Sequence, residues 1–145
     1  MFVVRLLAAS LKSPTVLDQL RLKHLVKYLK DTSFWCLEFA FQAAPRAIVG
    51  YGNSDWAGCE RTRRSASSGA VMRGSHQISA WVSGQSVVAL SSGEAEYYAA
   101  FSCGAELLYL MEFFTWADMP MISLLHMDSK AARGIAARPG VGRVR

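Results

Sequence analysis

The run from Gly93 to about Phe114 limits what this chain can become more than any other segment. Its apolar positions follow helical spacing yet fall on almost every face, with Tyr97, Tyr98, Phe101, Phe113 and Phe114 among them. A helix that is apolar nearly all round needs wide cover, so it is expected to lie against a sheet and to bury those aromatics there. Ser91 and Glu94 stand at capping-box spacing before it, and Met119 and Pro120 stop it. The sheet has to come from the shorter runs around this helix. From Phe34 to Phe41 (FWCLEFAF) the chain reads as an aromatic strand closed by Ala43, Ala44 and Pro45. A second strand from Ala47 to Tyr51 runs out into Gly52, Asn53 and Ser54, and strands from Ser67 to Arg73 and from Gln77 to Val82 form a hairpin around Gly74, Ser75 and His76. Met121 to Met127 reads as a buried strand, and Lys130 to Ala137 as a short helix closed by Pro139 and Gly140. Helix, four strands, helix, strand, helix is the order of a mixed α/β sheet with helices packed on it. At 145 residues, 52% hydrophobic and 19% charged, the chain can fill one such core.

Ahead of the sheet, Val16, Leu20, Leu22, Leu25, Val26 and Leu29 recur at helical spacing with Arg21, Lys23, Lys27 and Lys30 between them. This is an amphipathic basic helix from Ser13 to Thr32, with Ser13 as N-cap and Pro14 as first helical residue. Met1 to Ala9 has the apolar look of a signal segment, but Arg5 interrupts it and Lys12, Ser13 and Pro14 end it without a cleavage site. No apolar run approaches the length of a membrane span. Cys36, Cys59 and Cys103 are odd in number and far apart, which favours neither a disulfide framework nor a zinc site and suits an intracellular, reducing compartment.

The acids carry the chemistry. Asp55 follows a strand, Glu94 opens a helix, and Asp128 ends a strand where a helix begins. Ligands of open α/β sheets bind beyond the carboxyl ends of strands, so these three are expected to converge. Hard oxygen ligands without neighbouring Cys or His point to magnesium or manganese, and a pair of such ions is suited to attack on a phosphodiester. Each acid also has a local reading: Glu94 as a helix cap, Asp128 as the N-cap of the next helix, Asp55 as a turn residue.

Three blocks favour the metal-site reading. Gly50 to Ser68 (GYGNSDWAGCERTRRSASS), Gln85 to Ala99 (QSVVALSSGEAEYYA) and Met127 to Ala136 (MDSKAARGIA) closely resemble, in order and spacing, the ribonuclease H domain of copia-type retrotransposon polyproteins. Arg21 to Thr32 (RLKHLVKYLKDT) resembles the helix that joins the reverse transcriptase to that domain. The resemblance implies residues 1–45 as basic helix and linker and 46–145 as a ribonuclease H-like domain, a mixed sheet of five-stranded type with flanking helices, C-terminally truncated. It implies hydrolysis of the RNA strand of an RNA–DNA hybrid with two Mg2+ or Mn2+ ions and no small-molecule cofactor, beside the reverse transcriptase region of the same polyprotein.

Carried over by position, Glu94 matches the family's helix glutamate and Asp128 the aspartate ending its fourth strand. The family's first strand ends in an aspartate, one residue, and a second aspartate followed by tryptophan. The first of these is the metal ligand, and Asn53 stands there; Asp55 matches the second. Asn53 and Asp55 share a strand face but lie about 6.6 to 6.8 Å apart along it, so Asp55 is no simple substitute. The family also continues past the run from Gly140 to Arg145 into a segment with a further acid. The expectation is therefore a retroelement ribonuclease H with attenuated activity; the alternative is a non-catalytic nucleic-acid-binding remnant.

With a formal net charge of +5, two clusters, Arg61, Arg63 and Arg64, and Arg133, Arg138, Arg143 and Arg145, supply local positive charge. The first is expected to grip phosphates of the hybrid. Trp56, Trp81 and Trp116 are expected in the core, since a duplex offers no splayed bases, and His126 reads as a satisfied core histidine.

Overall fold

The computed structural model describes residues 2–138; Pro139, Gly140, Arg143 and Arg145 lie outside the described residues. The chain divides into two compact units, Met1–Phe39 and Ala40–Arg145.

The first unit pairs α1 (Phe2–Ala9) with α2 (Val16–Asp31). Helix α2 starts two residues later than Ser13 would start it, because Thr15 is the N-cap. The Thr15 hydroxyl accepts from the Asp18 N–H at 3.2 Å, and the Asp18 carboxylate accepts from the Thr15 N–H at 3.0 Å and its hydroxyl at 2.7 Å. That reciprocal box satisfies two orphan donors and outcompetes a Ser13 cap. The Thr15 N–H and hydroxyl, helped by Arg21, hold the Asp18 carboxyl below the usual carboxylate range.

The strand expected from Phe34 to Phe41 does not form; the segment is irregular, and Phe34, Trp35, Leu37, Phe39 and Phe41 are exposed. Aromatic content favours a pleated, half-buried surface, but no neighbouring strand offers this segment a ladder. The sheet accordingly has four strands among the described residues, where the sequence suggested five.

Those four are β1 (Ala47–Asp55), β2 (Ala66–Arg73), β3 (His76–Gly84) and β4 (Ile122–His126), with α3 (Ser92–Trp116) between β3 and β4 and α4 (Lys130–Ala136) last. Their order is β3-β2-β1-β4, antiparallel except for the parallel pair β1 and β4. This mixed α/β arrangement is compatible with a ribonuclease H-like fold. The hairpin turns on Gly74 and Ser75 alone, so His76 begins β3 and does not belong to the turn. Gly74 adopts φ +60°, a conformation glycine reaches without steric penalty.

Helix α3 packs on one face of the sheet, where Ile48, Val71, Leu107 and Phe114 form the buried cluster. The close approach depends on glycines in β1. A Cβ on Gly50 would stand 2.8 Å from both Cys103 Sγ and Leu107 Cδ1, and one on Gly52 would stand 3.2 Å from the Ala99 carbonyl oxygen. At the start of α3, Gly93 admits Ala131 of α4 in the same way.

Burial of α3 is narrower than its sequence implies. Ala95, Ala99, Ala100, Cys103, Leu107 and Phe114 are buried, but Phe101, Tyr109, Phe113 and Trp116 are exposed. One sheet covers one stripe of a helix, and α4 reaches only the first turns. Trp56 is half-exposed as well, with its indole N–H donating to the Ala89 carbonyl at 3.1 Å. Strand β4 is an edge with exposed Ile122, Leu124 and Leu125, not the buried strand its apolar run suggested. His126 is exposed too, and its ring stacks on Tyr51 at 5.3 Å between centroids.

Candidate functional site

Strand β1 runs to Asp55, four residues beyond Tyr51, because its last residues stay paired to β2: Asn53 opposite Ser68, Ser54 opposite Ser67, Asp55 opposite Ala66. Ile48, Gly50 and Gly52 face α3, so the alternation of a strand turns Val49, Tyr51 and Asn53 to the opposite face. Asn53 is exposed there.

Parallel pairing fixes the level of Asp128. The register matches Ala47 to Ile122 and ends with Tyr51 against His126. Two residues further along each chain stand Asn53 and Asp128, at the same end of the sheet. Asp128 is exposed and makes no hydrogen bond or ion pair among the described residues; the N-cap of α4 is Ser129, whose hydroxyl accepts from the Ala132 N–H.

Asp55 and Glu94 are engaged locally. The Asp55 carboxylate accepts from the Ala66 N–H and closes the loop between β1 and β2 across Gly58, whose missing side chain makes room for it. Glu94 is buried; one carboxylate oxygen accepts from the Leu90 N–H at 2.8 Å and the other from the Tyr98 hydroxyl at 3.1 Å. Ser91 caps the Glu94 N–H at 3.1 Å, so the expected capping box is half formed, its return bond displaced by one residue. Burial, followed by the bond to Glu94, raises the Tyr98 hydroxyl above its ordinary pKa.

The acid that α3 presents to β1 is Glu96. Its Oε1 accepts from the Ser54 N–H at 3.1 Å and from the Ser54 hydroxyl at 3.0 Å, so its carboxylate lies against the peptide that follows Asn53. Helix geometry explains the choice. Residues two apart face different directions, whereas Glu96 belongs to the stripe that continues through Ala99, Ala100, Cys103 and Leu107 and lies along β1. A sequence signal for Glu96 existed in that stripe: small Ala99 and Ala100 oppose the glycines of β1, and counting back one turn arrives at Glu96.

Glu96 of α3 and Asp128 beyond β4 thus stand at the end of β1 that carries Asn53, whose side chain is on the sheet face away from α3, while Asp55 and Glu94 are bonded locally. Among the described residues no three His, Cys, Asp or Glu side chains are grouped as a metal would require.

The loop from Trp56 to Ser65 folds back on itself. The Ala57 N–H donates to the buried Ser65 hydroxyl at 2.9 Å, Cys59 N–H to the Arg64 carbonyl at 3.2 Å, and Arg63 N–H to the Cys59 carbonyl at 2.7 Å. This closure leaves Arg61, Arg63 and Arg64 exposed at the same sheet end. Hydrogen bonds from the Thr62 side chain and backbone, with Arg61 nearby, hold the Cys59 thiol below its ordinary pKa. Of the second cluster, Arg133 and Arg138 are exposed.

The chain is 36% identical over 92 residues to the retrovirus-related Pol polyprotein from transposon TNT 1-94 of Nicotiana tabacum, which covers 63% of this chain and 7% of that one. It is 32% identical over 108 residues to an uncharacterized mitochondrial protein of Arabidopsis thaliana, covering 74% of this chain and 45% of the relative. A secreted RxLR effector protein of Plasmopara viticola is 39% identical over 90 residues, 61% of this chain and 62% of its own. The chain therefore spans less than two thirds of each of these relatives. No family model and no solved structure matches it. The likeness to a Pol polyprotein supports an origin in a retroelement polyprotein. No helix among the described residues is long and apolar enough to cross a membrane.

Proposed function

We propose that this chain is the ribonuclease H segment of a copia-type retroelement polyprotein, acting on RNA–DNA hybrids beside the reverse transcriptase region, with cleavage attenuated by Asn53. The observation that supports this reading is that Glu96 of α3 bonds Ser54 beside Asn53, at the end of β1 to which the parallel register of β4 also carries Asp128. Oxygen donors of this kind fit magnesium or manganese. A bound dication would activate a water and stabilise the leaving 3′ oxygen. Glu96 and Asp128 would hold it, and the neutral amide of Asn53 supplies a single oxygen where a carboxylate would supply charge for a second ion. Glu94 and Asp55 would join only by giving up their bonds to Leu90, Tyr98 and Ala66. Arg61, Arg63 and Arg64 would hold the phosphates of the hybrid, fixing its register without reading its sequence.

The second reading, a remnant that binds hybrid without cutting it, is favoured by the same asparagine. A cleavage assay on a hybrid labelled in its RNA strand, with magnesium or manganese, separates the two. Weak metal-dependent cleavage by the parent, increased in Asn53→Asp, supports the nuclease. Binding by both proteins with cleavage by neither supports the remnant.

A further inference from the structure

The face of the sheet away from α3 carries a feature that a duplex-cleaving site does not use. Tyr51 and His126 are opposite one another on β1 and β4, and their rings stack at 5.3 Å with 24° between planes. Both are exposed, Tyr51 at 48%. Within this unit α3 is the helix that packs on the sheet, so no other element of the unit covers the pair.

Because His126 stacks from the β4 side, the free face of the Tyr51 ring lies on the β2 side. There the register places Ala70 opposite Tyr51 and Ala80 opposite Ala70. Two successive strands thus offer only methyl groups at the level of the ring, leaving a slot walled by Tyr51 and floored by alanines.

We infer that Tyr51, backed by His126, is a stacking platform for an unpaired base of a single-stranded nucleic-acid segment, with the base lying over Ala70 and Ala80. Charge identifies the occupant as nucleic acid. The platform is on the strand that leads into the loop of Arg61, Arg63 and Arg64, where three exposed guanidinium groups stand against Glu60. A polyanion held by those cations would bring its bases to this face, and every base has a π-face to offer. A fully paired duplex hides those faces in its own stack, so the slot selects an unpaired segment adjoining the hybrid. The inference rests on the nucleic-acid reading above and deepens it.

The test uses the full chain and three probes: a blunt RNA–DNA hybrid, the same hybrid with a short unpaired tail carrying 2-aminopurine, and the tail alone. The tail is expected to raise affinity at least about fivefold over the blunt hybrid, as one stacked base does, and 2-aminopurine fluorescence to be quenched on binding. Tyr51→Ala should abolish both effects and leave blunt-hybrid affinity unchanged. Ala70→Leu, which fills the slot and keeps the ring, should do the same, with circular dichroism confirming that each variant is folded. Equal affinity for tailed and blunt hybrids, or a Tyr51→Ala loss of the same size for both, overturns the platform. A Tyr51→Ala effect on self-association with none on the tail would assign the face to protein contact and also overturn it. Binding of the tail alone, without the blunt hybrid, would sink the hybrid reading and leave the platform standing.

Discussion

The Glu96 carboxylate accepts both the backbone N–H and the hydroxyl of Ser54 through one oxygen, Oε1, whereas Glu94 uses both of its oxygens, one for Leu90 and one for Tyr98. The difference separates two acids that sit two residues apart. A glutamine keeps one carbonyl oxygen, so Glu96→Gln can preserve both bonds to Ser54 while losing charge. Glu94→Gln can keep its carbonyl on the Leu90 N–H and donate its amide N–H to the Tyr98 oxygen, whereas Glu94→Ala leaves the Leu90 N–H and the Tyr98 hydroxyl without their partner in a buried place, at a cost of about 1 to 3 kcal/mol. Thermal melts should therefore show Glu94→Ala destabilised and Glu96→Gln close to the parent. Hybrid cleavage per folded molecule should fall in Glu96→Gln and persist in Glu94→Gln. The reverse pattern would return the functional role to Glu94.

Asn53 precedes the Ser54 that Glu96 grips, at the sheet end that also carries Asp128, so Asn53→Asp would add a third carboxylate to that end. Like charges held together favour protonation or a cation. Millimolar magnesium should consequently raise the melting temperature of Asn53→Asp more than that of the parent, and the increment should vanish when Asp128→Asn is added. Cleavage of the RNA strand should rise at least about tenfold, equivalent to about 1.4 kcal/mol of barrier. Adding Asp55→Asn to the restored protein should change cleavage little, because the Asp55 carboxylate is turned to Ala66. An equal magnesium effect in parent and Asn53→Asp would contradict this geometry.

How far the sequence foretold this arrangement depends on which force governed each element. Strands β1, β2 and β3 and helix α3 were legible because alternation, turn residues and capping are local signals. Asp128 was legible for the same reason, as an acid at a junction of strand and helix. The contact of Glu96 with Ser54 was not, because which of Glu94 and Glu96 reaches β1 depends on helix phase relative to a strand over forty residues earlier. The Phe34 to Phe41 segment and His126 misled because an apolar or aromatic run reports what a residue prefers, and neighbouring elements decide what it receives. The same reasoning failed for Phe101, Phe113 and Trp116, whose outward face no other element of their unit covers.

Cys59 should ionise more readily than Cys103. Thr62 and Arg61 lower its pKa, while burial raises that of Cys103. Since only the thiolate is alkylated, the pH profile for Cys59 should have its midpoint below the ordinary thiol value of about 8.5, and Cys103 should stay unmodified in the folded protein. Thr62→Val removes the first cause of the shift and should move the midpoint upward. Peptide mapping after iodoacetamide treatment across a pH series measures both, and an unmoved midpoint in Thr62→Val would exclude the Thr62 contact.

Gln42 fastens the β2–β3 hairpin. Its Oε1 accepts from the Ser75 N–H at 3.0 Å and hydroxyl at 3.1 Å, while its Nε2 donates to the Arg73 carbonyl at 2.9 Å and meets His76 Nδ1 at 2.9 Å. These partners fix the amide's orientation, because a backbone N–H and a backbone carbonyl cannot exchange roles. They also fix the ring: Nδ1 accepts, and Nε2 donates to the Ala40 carbonyl at 2.7 Å. Gln42→Ala should lower stability by about 1 to 3 kcal/mol, moderated by water reaching the exposed bonds. Gly74→Ala should also destabilise, for two separable reasons: its φ of +60° is strained for alanine, and its Cβ would collide with Gln42 Oε1 and Pro45. Only the collision with Gln42 disappears when Gln42 is already alanine. The double variant should therefore be more stable than the sum of the single losses predicts, and strictly additive losses in denaturant melts would show that Gln42 does not press on the turn.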